Sequence, residues 1–253
     1  MSKIWAIGDI HGCYNEMVKL VHKCMQNGMN PVEDTVVFLG DYIDRGPDSA
    51  KVINQLIKWK KKYPHWVFIY GNHEDLFRDW IYGARQYGEG IWLGNGGNTT
   101  WESYGGNFGR MDNDEFEAPK RPEFLQEHLD FLFKETVYFY ETEDYFFVHG
   151  GVLPGEALNK SKNYPRTLLW ARYGFIDSDY DWGKKIIFGH TPDNRGDYYN
   201  PDNPWGKKQV FKPIVKKNKI GIDTACCPPA NQRLTAIKLP DELFFFIESN
   251  NKS

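Results

Sequence analysis

Five times along this chain a short apolar run meets a glycine and, beside it, a side chain able to hold a metal ion. The runs are IWAIG before Asp9 and His11, VVFLG before Asp41, WVFIYG before Asn72 and His73, FFV before His149-Gly150, and IIFG before His190. Glycine lets a backbone turn sharply and come close to whatever its neighbours hold. Asp9, His11, Asp41, Asn72, His149 and His190 together form a mixed oxygen and nitrogen donor set. Such a set suits two divalent first-row ions and suits Ca²⁺ poorly, because Ca²⁺ prefers oxygen alone.

A blander reading exists at each position. A lone buried histidine is ordinarily a core residue satisfied by hydrogen bonds, and an aspartate after glycine is ordinarily a turn residue or helix cap. All five strand ends would have to be bland at once, so the clustered reading prevails for His11, His73, His149 and His190. His22, His65 and His128 have no such neighbours. They are expected to play no part in a metal site.

The elements that must position these residues are legible as apolar runs. Strands are expected at Lys3 to Gly8, Thr35 to Gly40, Trp66 to Gly71, Tyr145 to His149, Lys185 to Gly189, Lys219 to Asp223, Leu234 to Leu239 and Leu243 to Ile247. Few of them alternate apolar with polar residues, as expected for sheets covered on both faces. Helices are expected at Tyr14 to Asn27, where Met17, Leu20, Val21 and Cys24 fall on one face, at Asp48 to Lys62, and at Pro122 to Lys134. A βαβαβ order followed mostly by strands argues for stacked sheets flanked by helices. In open sheets of this kind, ligands gather outside the carboxyl ends of the strands.

Segments 83–109 and 110–121, and the Pro, Asn and Lys-rich 193–217, read as long surface loops, and long loops in compact folds are often functional. Tyr198, Tyr199 and Trp205 could shape a substrate groove there. No linker or repeat divides residues 1–253, so a single domain is expected.

Bulk properties narrow the functions. A net charge of −3 gives no electrostatic footprint for nucleic acid or an anionic membrane. No apolar stretch approaches the roughly 20 residues that span a bilayer, and the N-terminus runs directly into a strand. The four cysteines, Cys13, Cys24, Cys226 and Cys227, have no CxxC spacing. They read as reduced thiols of a cytoplasmic protein.

The motifs GDIHG, GDYIDRG, GNHE, HGG and GHTP, in this order between Gly8 and Pro192, resemble the signature of the metallo-dependent phosphoprotein phosphatases. The similarity is closest to the small bacterial and bacteriophage lambda-type members, and IGIDT near the end also matches. The resemblance implies a four-layer α/β/β/α sandwich of the metallophosphoesterase type, with a two-metal centre among its loops. It implies that Asp9 and His11 hold the first ion, that Asp41 bridges to the second, and that Asn72, His149 and His190 complete the second ion's shell. A hydroxide between the ions would attack phosphorus directly, since metal binding can lower water's pKa from about 15.7 to roughly 7. Arg45 and Arg172 match the family's phosphate-binding arginines, with Asn72 beside them. His73 would protonate the leaving group, Asp44 would orient it, and Glu74 would support the loop. Mn²⁺ is the expected metal, with Fe or Zn as alternatives, because Mg²⁺ favours oxygen shells.

Three functions compete: a phosphatase for phosphoserine and phosphothreonine (and phosphotyrosine) in proteins, a symmetrical dinucleoside tetraphosphate hydrolase, and a metal-binding module without activity. The module is disfavoured because no ligand, arginine or acid is missing. The sister hydrolases tend to carry GNHD and to lack a carboxylate at the position of Asp44. This chain has GNHE and Asp44, which favours the protein phosphatase and a phosphorylated polypeptide as partner. Ala225, where relatives commonly have glycine, departs from the pattern.

Overall fold

Runs such as Trp5-Ala6-Ile7 and Val36-Val37-Phe38 have no polar face, and the structure covers both sides of them. The computed structural model describes residues 3–83, 86–87, 90–112, 115–192, 211–227 and 233–249. The first sheet holds β1 (Ile4–Ile7), β2 (Thr35–Phe38) and β3 (Val67–Phe68). The second holds β6 (Phe139–Glu141), β7 (Tyr145–Val148), β8 (Lys185–Phe188), β9 (Ile214–Val215) and β10 (Lys219–Gly221), after a separate hairpin of β4 (Arg110–Asp112) and β5 (Glu115–Glu117). The chain then returns to the first sheet as β11 (Arg233–Leu239) and β12 (Leu243–Glu248). The resulting orders are β12-β11-β1-β2-β3 and β6-β7-β8-β10-β9.

Three apolar layers hold four layers of structure together. Outside the first sheet, Trp5, Ile7 and Phe38 pack with Met17 and Leu20 of α1 (Tyr14–Gln26) and Val52 and Leu56 of α2 (Ser49–Lys62). Between the sheets, Ala6, Val37 and Leu39 meet Phe147, Ile187 and Ile220. On the far side of the second sheet, Phe146, Val148 and Phe188 pack with Leu168, Phe175 and Trp182. Each large apolar side chain buried this way contributes about 1.5–3 kcal/mol. This is the α/β/β/α sandwich.

Pairing within each sheet converges the chemistry. β1, β2 and β3 run parallel, as do β7, β8 and β10. Their carboxyl ends therefore gather on one edge, and the third expected strand continues directly into α3 (Asn72–Tyr82).

Several expectations about elements change. The strand expected over 66–71 is only Val67–Phe68 plus a bridge from Ile69 to Val137. The helix expected from Pro122 begins at Gln126, because Leu125 is extended (ψ 130°), and ends in a π-turn over Phe131–Glu135. The stretch read as loop 83–109 contains a π-turn at Leu93–Gly97 and a helix, α4 (Asn98–Ser103). The charged stretch 110–121 contains the β4-β5 hairpin. Tyr198, Tyr199 and Trp205 lie outside the described residues. All four cysteines are free and buried, and no helix among the described residues is long and apolar enough to cross a membrane.

Candidate metal centre

The loop after β2 carries Asp41 in the left-handed region (φ 50°), and Glu74 holds that loop in place. The fully buried Glu74 carboxylate accepts the backbone N–H groups of Asp41 (2.9 Å), Tyr42 (2.9 Å), Ile43 (3.4 Å) and Gly71 (3.0 Å). Those donors would otherwise be buried without partners, which costs about 1–3 kcal/mol each. The expected supporting role of Glu74 is what the geometry provides.

Asp41 then stands between two groups of imidazoles. Its Oδ2 lies 3.5 Å from His11 Nε2 and 3.9 Å from His73 Nε2, and its Oδ1 lies 3.2 Å from His149 Nε2. His11, Asp41 and His73 make one cluster able to hold an ion, and Asp41, His149 and His190 make a second. Asn72 opens α3 and aims Oδ1 at His149 Nε2 (2.8 Å) and His190 Nδ1 (2.7 Å). The ring orientations are fixed from behind: His11 Nδ1 donates to Ile43 O at 3.0 Å, and His149 Nδ1 to Leu39 O at 2.7 Å. Such outer hydrogen bonds set the tautomer that leaves Nε2 free to ligate.

The electrostatics are consistent with ligation. Burial, then Arg45, hold His11 well below the usual imidazole range, and burial and His149 do the same to His190. Neutral imidazole is the form that binds metal. Burial works to raise Asp41, but His149 and His73 outweigh it and hold the carboxyl well below its ordinary value. Asp9 is pushed well above its own, by burial and then by Asp223 and Asp41.

The donors also fit an ion on grounds of satisfaction. Asp9 Oδ2 accepts His190 N–H at 2.8 Å, but Asp9 Oδ1 and His190 Nε2 are buried with no partner. Buried polar atoms are rarely left so. A Cβ on Gly189 would fall 2.1 Å from that free Asp9 oxygen, so only glycine leaves room there. Unpaired donor atoms converging with carboxylates and with imidazoles of which His11 and His190 are held neutral make a site for cations. The six expected ligands are brought together.

His73 is placed differently. Its Nδ1 faces Asp44 Oδ2 at 2.7 Å, and its Nε2 accepts from Arg45 NH2 at 3.0 Å. Arg45 NH1 reaches His11 Nε2 at 2.9 Å, so one guanidinium spans both rings. Arg172 lies beside His190, with NH1 3.4 Å from Thr191 Oγ1. His22, His65 and His128 stand apart, His65 against Asp34 O and His128 against Tyr104. Asp223 is the residue the sequence reading missed. It follows β10 as Asp9 follows β1, is buried, and acts electrostatically on Asp9. The same signal, a carboxylate just beyond a strand, could have found it.

Residues 2–222 match the calcineurin-like phosphoesterase family model. The chain belongs to this family. Its members depend on paired metal ions, and the two clusters offer candidate ligands for them. Among curated proteins, the chain is 27% identical to the asymmetrical bis(5′-nucleosyl)-tetraphosphatase PrpE of Oceanobacillus iheyensis, over 98% of this chain and 92% of that one. It is 36% identical to serine/threonine-protein phosphatase 1 of Salmonella typhimurium over 97 residues, 38% of this chain and 39% of that one. Among solved structures, a putative diadenosine tetraphosphatase superposes with a TM-score of 0.62 at 15% identity, covering 99% of this chain and 95% of that one. A protein serine/threonine phosphatase from Saccharomyces cerevisiae does so with 0.56 at 16%, covering 100% and 81%. These structural likenesses establish the fold.

Proposed function

We propose that this calcineurin-like phosphoesterase is a cytoplasmic phosphomonoesterase that hydrolyses phosphoserine and phosphothreonine, and phosphotyrosine also, in polypeptides. The observation that carries the reading is the buried pair of His73 and Asp44, 2.7 Å apart beside both clusters. An alkoxide is a poor leaving group, and a positioned acid typically contributes about 10²–10⁴-fold in rate. Asp44 holds Nδ1, which leaves Nε2 as the nitrogen that carries a proton to the serine or threonine oxygen. Two divalent ions, of which Mn²⁺ suits these imidazoles best, would supply Lewis acidity and a hydroxide nucleophile at neutral pH. Asp9, His11, Asp41, Asn72, His149 and His190 would hold them. Arg45 stands at His11 and His73 and Arg172 beside His190, and a guanidinium can grip two phosphate oxygens at once. Arg45 now rests on His11 and His73, so an arriving phosphate dianion competes for its N–H groups and frees His73 Nε2. Asn72 supports the same phosphate with its amide.

A second reading is hydrolysis of dinucleoside polyphosphates, favoured by the nearly full-length similarity to the Oceanobacillus iheyensis tetraphosphatase. There the leaving group is a nucleotide phosphate that departs with little protonation, so the acid pair adds less. Steady-state kinetics with Mn²⁺ on a phosphoserine peptide and on diadenosine tetraphosphate separate the two. The expected kcat/KM ratio favours the peptide by at least about tenfold, or ~1.4 kcal/mol of transition-state discrimination. A preference for the dinucleotide decides for the second reading.

A further inference from the structure

Asp44 is completely buried and in a left-handed conformation (φ 73°), and His73 is not its only partner. The indole N–H of Trp92 bridges both carboxylate oxygens, at 3.0 Å and 3.1 Å, and the hydroxyl of Thr100 donates to Oδ1 at 2.7 Å. The same Thr100 oxygen accepts the Asp44 backbone N–H at 2.8 Å and lies 2.9 Å from Ser49 Oγ. One residue along, Arg45 N–H donates to Gly96 O at 3.0 Å. Gly96 sits at φ 98°, and a Cβ there would fall 2.8 Å from Arg45 Cγ, so the approach requires glycine. Ser49 apart, these contacts come from the segment WLGNGGNTT, residues 92–100.

That segment is itself fixed by packing. The Trp92 ring lies 4.9 Å from Phe77 and 4.7 Å from Trp80, both on the helix that begins at Asn72 and His73. Gly97 presses on its other face, where a Cβ would be 2.4 Å from the ring. The indole is therefore keyed to the same helix as His73 while its N–H reaches Asp44.

We propose that Trp92 and Thr100 are positioning residues for the His73–Asp44 pair, and that the 92–100 segment sets the pair and Arg45 as one unit. This rests on the reading of His73 as the acid for the leaving group. A carboxylate held only by His73 is free to turn about its terminal bond. With the Thr100 hydroxyl on Oδ1 and the indole shared across both oxygens, Oδ2 has one direction left, towards His73 Nδ1. The ring then presents Nε2 to the reacting side in a fixed geometry. Misplacing a proton donor harms expulsion of an alkoxide far more than expulsion of nitrophenolate, which leaves without a proton.

The test compares a phosphoserine peptide with p-nitrophenyl phosphate, using Mn²⁺-loaded His73→Asn, Thr100→Val, Thr100→Ser and Trp92→Phe. Valine keeps the shape of threonine without the hydroxyl, serine keeps the hydroxyl, and phenylalanine keeps a ring without the N–H. In kcat/KM, His73→Asn should lose about 100-fold more on the peptide than on the nitrophenyl ester. Thr100→Val and Trp92→Phe should each show about tenfold selective loss, the lower end of what the loss of an orienting partner behind a metal ligand costs. Thr100→Ser should keep the wild-type ratio within about twofold, since the donor remains. Thermal unfolding of each variant identifies any that fails to fold, and the remaining one of the Thr100→Val and Trp92→Phe pair then decides. Selective loss in His73→Asn with proportional losses in Thr100→Val and Trp92→Phe overturns the positioning role alone. Thr100→Ser behaving like Thr100→Val overturns it too. Equal losses on both substrates in His73→Asn remove the acid role and the positioning role together.

Discussion

Replacing Glu74 by glutamine tests whether the loop that carries Asp41 is held by one carboxylate. Two oxygens now receive four backbone N–H groups, with two bonds on each oxygen. Glutamine is nearly isosteric but offers one oxygen and an NH₂ that is itself a donor. Whichever way the amide turns, two N–H groups face a donor. If the Tyr42 and Ile43 side is lost, one good bond and one long bond of 3.4 Å disappear. If the Asp41 and Gly71 side is lost, two good bonds do. At about 1–3 kcal/mol per buried unpaired donor, the loss is about 2–6 kcal/mol, with the first orientation at the lower end.

Relief of charge works against this loss. Burial, then the Asp41 carboxylate, push Glu74 up to about 8, so a neutral amide removes some repulsion. A protonated Glu74 is already neutral, however, and still offers acceptor oxygens to most of these donors. The amide therefore loses hydrogen bonds in either case, and the lost acceptors decide the sign. For a chain of this size each kcal/mol moves Tm by roughly 2–4 °C, so Tm should fall by about 5–15 °C. Because the same loop presents the carboxylate between the two clusters, Mn²⁺ affinity should fall by about 10–100-fold. Thermal unfolding in chelator gives the first quantity, and calorimetric Mn²⁺ titration the second. A Tm within 2 °C of wild type, together with an unchanged titration, would refute the reasoning.

Thorough chelation should abolish hydrolysis, and Mn²⁺ should restore it better than Mg²⁺, because the donors include several imidazoles; full activity in chelator would contradict the two-metal reading. Arg45→Ala and Arg172→Ala should each lower kcat/KM by about 10-fold or more while bound metal, measured by mass spectrometry, stays at the wild-type level. If either variant loses metal, that arginine belongs to the scaffold. Lys219, fully buried, donates to the carbonyls of Phe175 (3.0 Å) and Ile176 (3.1 Å) and to Ser178, at the end of the short helix Tyr173–Ile176 that Arg172 precedes. Lys219→Met should destabilise the fold by about 2–4 kcal/mol through the carbonyls left unpaired, and an unchanged urea midpoint would show that water replaces the ammonium without cost.

The candidate ligand positions were readable from sequence because each depends on short-range structure. An apolar run of four to six residues makes a strand, a glycine ends it, and the next side chain projects from the edge. Parallel pairing of β1 with β2 and of β7 with β8 then brings separate runs to one place. Asp223 obeys the same rule after β10, but Ile222 separates it from Gly221, so it lacks the Gly-Asp step that marks Asp9 and Asp41. The two sheets and their covering helices were equally legible, since runs without a polar face require cover on both sides. Helix limits were less so. Pro122 offered a plausible start, yet the backbone stays extended until Leu125.

How each candidate ligand is held follows from contacts between segments far apart in the chain. Glu74 reaches a loop 31 to 33 residues away, and Asp44 takes its donors from Trp92 and Thr100, 48 and 56 residues along the chain. Local spacing carries no signal for such partners, because they are placed by packing and not by period. Trp92 reaches Asp44 because its ring fits between Gly97, Phe77 and Trp80, and from sequence alone that indole is one aromatic among many in a glycine-rich stretch. The sequence determined which atoms could bind metal and phosphate. The fold determined which way they point, because directional hydrogen bonds form only after distant segments have been packed together.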